Sequence, residues 1–88
     1  MKKYTFIAVF KTATYVSQYE ASNLTEALLI WADKLNTQFL TNKMKAIVLE
    51  KVRDSFYSPV PIEEVENVWC SSYVIYHSLL ILNIVETA

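Results

Sequence analysis

Residues 3 to 11 alternate in a period of two. Tyr4, Phe6, Ala8 and Phe10 fall on one face, and Thr5, Ile7, Val9 and Lys11 on the other. Residues 14 to 21 repeat the pattern, with Tyr15, Ser17, Tyr19 and Ala21 set against Val16, Gln18 and Glu20. The two segments predict a hairpin. A two-residue turn at Thr12-Ala13 would put Phe10 opposite Tyr15 and Phe6 opposite Tyr19. One aromatic face results, made of Tyr4, Phe6, Phe10, Tyr15 and Tyr19.

The period then changes. Asn23 is a favourable helix N-cap, and Glu26 three residues on completes a capping-box pattern. Leu24, Leu28, Trp31, Leu35 and Phe39 recur at helical spacing, which predicts a helix over 23–40. Thr41 or Asn42 can cap a second helix, with Met44, Ile47, Val48 and Val52 on one side and Lys43, Lys45, Glu50 and Lys51 outside. The β-branched content of 42–54 also suits a strand, and helix is the favoured reading. Ser58-Pro59-Val60-Pro61 breaks the pattern, so 55–66 reads as a loop with a short turn at 62–65.

Two more strands are expected at 66–75 and 78–86, joined around Tyr76-His77. In the first, Val68, Cys70, Ser72 and Val74 oppose Trp69, Ser71, Tyr73 and Ile75. In the second, Leu79, Ile81, Asn83 and Val85 oppose Leu80, Leu82 and Ile84. Both faces of that last strand are apolar, which implies burial on both sides. The expected fold is a single α+β domain over 1–88 with order β-β-α-(α)-β-β. Its core is a four-stranded antiparallel sheet with helices packed on one face.

Composition sharpens this picture. The chain has 88 residues, is 53% hydrophobic and carries only 19% charged residues. A chain this short buries about 64% of its unfolded surface, so it has few interior sites for so many apolar groups. Apolar surface is left over, and the simplest cover for a second sheet face is another copy of the chain. A homodimer is therefore the expected partner state, with another protein as a further partner.

The net charge is -1, and the basic residues Lys43, Lys45, Lys51 and Arg53 are interleaved with Glu50 and Asp54. That argues against a phosphate-binding stripe and hence against nucleic acid. Asn67 to Val85 contains no Asp, Glu, Lys or Arg. Its polar residues and acidic flanks, Glu66 and Glu86, fit two strands better than a membrane span. One cysteine allows no internal disulfide. With no leader pattern after Met1-Lys2-Lys3, a cytoplasmic location is expected.

The chemistry-bearing residues are few. Cys70, His77 and Asn83 invite a cysteine-nucleophile reading, but the spacing fits no arrangement that lowers a thiol pKa. One Cys and one His cannot make a structural zinc site. With no glycine there is no phosphate-binding Gly-rich loop. Asn23-Leu24-Thr25 matches a glycosylation sequon and reads better as the helix cap. Glu63, Glu64 and Glu66 read as a solvated acidic loop. The expectation is a protein that is not an enzyme and has neither cofactor nor metal. Its candidate binding or interface residues are Tyr4, Phe6, Tyr15, Tyr19, Trp69 and Tyr73. Sheet aromatics can also stack on bases or small molecules, which is the alternative reading.

The opening run Tyr4 to Leu35, with Ala21-Ser22-Asn23-Leu24-Thr25-Glu26-Ala27-Leu28 leading into the helix, resembles the HicB-type antitoxin fold. That resemblance implies a toxin-binding dimer. This chain lacks the glycines and the extra strand region that the family carries between hairpin and helix, and no functional residues carry over.

Overall fold

The computed structural model describes residues 1–35, 40–54 and 58–87. The chain forms β1 (Lys2–Phe10), β2 (Ala13–Ala21), α1 (Leu24–Asp33), α2 (Asn42–Arg53), β3 (Val60–Pro61), β4 (Val68–Ile75) and β5 (Ser78–Glu86). It is an α+β fold with an antiparallel sheet, as the pattern predicts. The sheet has five strands, not four, in the order β2-β1-β5-β4-β3.

The extra strand is two residues long, with Val60 opposite Cys70 and Pro61 opposite Trp69. It is too short to show a period. Pro61 has no N–H to donate, which confines it to a sheet edge.

The hairpin turns one residue earlier than expected, which shifts the pairing register by two. Lys11 and Thr12 form the turn, so Ala8 faces Tyr15, Phe6 faces Ser17 and Tyr4 faces Tyr19. A shift of two leaves every side chain on its expected face. Phe6 and Tyr19 still meet on the diagonal, with ring centroids 5.9 Å apart. In the second hairpin the register is the expected one, with Cys70 opposite Asn83 and Ile75 opposite Ser78 around Tyr76-His77.

Helix α1 starts where its cap predicts. The Glu26 N–H donates to Asn23 Oδ1 at 2.8 Å. The Glu26 carboxylate accepts from the Ser22 hydroxyl at 2.6 Å. The helix ends at Asp33, short of the expected 40, and the expected positions Gln38 and Phe39 lie outside the described residues. Segment 42–53 is a helix, capped by Thr41, whose hydroxyl accepts from the Met44 N–H at 3.2 Å.

The two helices carry the chain from the β2 edge of the sheet to the β4 side. Helix α1 packs on β2 and β1, helix α2 on β4, and the helices pack on each other. Both lie over the face bearing Tyr4, Phe6, Ala8, Phe10, Leu80, Leu82 and Ile84, all of which are buried. Trp31 stacks flat on Phe6 at 5.7 Å, and Ala27, Leu28, Ala32 and Val48 close the core.

Candidate interaction surface

One crossing links the two hairpins, and its described helices, α1 and α2, lie over one face. The other face of the sheet has no described element of this chain on it. The expectation that β5 is buried on both sides is therefore not met within one copy. Leu80, Leu82 and Ile84 are buried, while Leu79 is 50% exposed and Ile81 38% exposed.

Pairing registers lay out this open face. Ile7 sits between Val16 and Asn83, and Val9 between Thr14 and Ile81. Beyond β5, Ser72 is opposite Ile81 and Val74 opposite Leu79. Val16 and Val74 are the most exposed of the set, at 66% and 59%. An apolar band thus crosses four strands: Val16, Ile7, Val9, Ile81, Leu79 and Val74. The interior of the face holds Thr, Gln, Ser, Asn and Cys70 besides, and no charged residue. Lys3 and Glu20 face each other at one corner.

The candidate binding or interface aromatics lie on the helix-covered face. Tyr4, Phe6 and Tyr73 are buried and serve the core. Trp69 is half-buried and packs on Tyr4 with centroids 6.4 Å apart. Burial raises the pKa of the Tyr4 phenol, and the Glu86 carboxylate that accepts its hydrogen bond raises it further. Burial also raises that of Tyr73, while a hydrogen bond from Ser71 acts in the opposite direction.

Tyr15 and Tyr19 are half-buried and border a cavity of about 190 Å³ at the end of α1. Its lining includes Tyr15, Ser17 and Tyr19 of β2, Phe10 of β1, and Trp31 and Lys34 at the helix end.

The fold separates the residues of the nucleophile reading. Cys70 and Asn83 are neighbours across the β4–β5 ladder, but His77 is exposed in the turn. Asn83 lies six positions further along the chain, roughly 20 Å at the usual rise. Glu63, Glu64 and Glu66 are exposed in the turns before β4. Among the described residues, no three His, Cys, Asp or Glu side chains are grouped to hold a metal ion. No described helix is long and apolar enough to cross a membrane, and the uncharged run 67–85 is the β4–β5 hairpin.

The signal for the open face was present in β5, whose odd-numbered positions are as apolar as its even ones. The alternation in β1 and β2 singles out the aromatics, whose size marks core as readily as interface.

Comparison with known protein families, curated proteins and solved structures gives no match.

Proposed function

We propose that this chain is a non-enzymatic interaction module that acts as a homodimer, two copies joining through the open faces of their sheets. The observation that supports this reading is the uncharged face with its band of Val16, Ile7, Val9, Ile81, Leu79 and Val74. A face of this kind, contiguous and rimmed by polar residues, is of the size that often marks an interaction site.

Size and charge favour a second copy as the occupant. Four long strands of up to nine residues span roughly 19 by 30 Å, or about 570 Å² before side-chain relief is counted. That approaches the roughly 800 Å² per partner of a standard interface. A two-fold axis sets a surface against itself, so any charge there meets its own kind or must find an opposite. The interior of this face has no charge to repel its copy and none to attract a charged partner. Two sheets packed about 10 Å apart would interdigitate these side chains as in a sandwich. Further partners would then meet the surfaces the dimer leaves exposed. The single cysteine and the lack of any disulfide fit a reducing, cytoplasmic setting.

The test is Ile81→Glu, which sets a carboxylate in the centre of the face where a single copy has solvent. Light scattering after size exclusion should give the wild type twice 10.2 kDa and the variant 10.2 kDa, with equal circular dichroism. A wild type at 10.2 kDa over a tenfold concentration range, or a variant that stays dimeric, contradicts the proposal.

A further inference from the structure

We infer that the cavity at the end of α1, on the helix side of the sheet, is a binding site for a small single-ring aromatic acid. The volume sets the size. Apolar protein cavities of about 150 Å³ stay dry and take up benzene. At about 190 Å³, this cavity holds one ring with one short substituent.

The lining sets the chemistry. Phe10, Tyr15, Tyr19 and Trp31 supply four aromatic side chains, whose faces and edges pair well with a further ring. Lys34 is the one charged residue among the described lining, and it has no carboxylate partner among the described residues. It is also the C-cap of α1, so the negative end of the helix dipole partly offsets its ammonium. A full positive charge outweighs the roughly half negative charge of a helix terminus, so an anionic substituent is favoured there. Because Lys34 is exposed, the preference is modest: two- to fivefold over a neutral isostere, or about 0.4–1 kcal/mol as an exposed ion pair. Roughly ten heavy atoms in a small pocket give a Kd of about 0.1–3 mM.

Trp31 reports on the site. The protein has two tryptophans, and Trp69 packs on Tyr4, which does not line the cavity. In Trp69→Phe, titration with phenylacetate should change Trp31 fluorescence saturably, and phenylacetamide should do so with two- to fivefold weaker affinity. Lys34→Gln should abolish that difference while leaving phenylacetamide binding intact. Ser17→Phe, which fills the cavity from β2, should abolish both. The aromatic site is overturned if neither compound gives a saturable change up to about 10 mM, or if a folded Ser17→Phe variant binds as before. The acid preference is overturned if phenylacetate and phenylacetamide bind alike, or if Lys34→Gln leaves their difference unchanged. The site lies on the face opposite the proposed dimer contact, so a monomeric Ile81→Glu variant should bind equally well.

Discussion

At the residue scale, the lack of glycine is felt most at the turns. Lys11, Glu64, Asn67 and Tyr76 all have positive φ. Asn tolerates this region; a lysine, glutamate or tyrosine does so at a cost of roughly 1–2 kcal/mol. Both hairpins place the positive φ on the first of two turn residues, where glycine is the usual choice. Tyr76 is half-exposed and gives up little packing. Tyr76→Gly should therefore stabilise the protein by about 0.5–1 kcal/mol, read as a higher midpoint in urea. The buried tyrosines make a second prediction at this scale. The pKa of Tyr4 is raised in the fold above its ordinary 10.0, so the fold favours the neutral phenol. The stability from that preference is fully present below pH 10 and is lost as pH rises through the folded value. Tyr4→Phe should lose less stability than the wild type between pH 9 and 11, roughly, as followed by urea melts across that window.

At the element scale, caps and faces were easier to read than lengths. Asn23 and Glu26 mark the start of α1, and Asn23→Ala should cost about 1 kcal/mol while leaving the melt cooperative. The end of α1 carried no comparable mark: no glycine follows Asp33, and Leu35 continues the helical spacing past it. The hairpin register slipped by two for a related reason, since nothing in Phe10-Lys11-Thr12-Ala13 singles out lysine for positive φ. The faces survived, because a period of two is indifferent to a shift of two. Strand β3 was illegible: two residues with a proline have neither period nor propensity, and only the partner strand β4 defines them. Which sheet face meets the helices was the least legible feature. Tyr4, Phe6 and Tyr73 are aromatic and lie on one face, which is equally the signature of a core. Only the crossing of α1 and α2 decides which face is covered, and that is a property of the connections.

At the scale of the whole molecule, the chain is compact by itself. Its radius of gyration is 12.3 Å, against roughly 12 Å for a folded chain of this length. Its accessible surface is 5698 Å², near the roughly 5,300 Å² that size scaling gives. The exposed apolar band is thus not a result of loose packing elsewhere. It follows from topology, since one crossing can cover only one side of a five-stranded sheet. The excess of hydrophobic residues pointed to an uncovered face, and β5 carries that excess on its outward side.

The sheet-to-sheet contact is read most directly by an intermolecular NOE experiment on a sample of mixed labelled and unlabelled copies. A dimer joined through its open sheet faces gives cross-peaks between copies among the methyl groups of Ile7, Val9, Val16, Val74, Leu79 and Ile81. The absence of intermolecular cross-peaks from these methyls, or contacts arising from the helices instead, would contradict it.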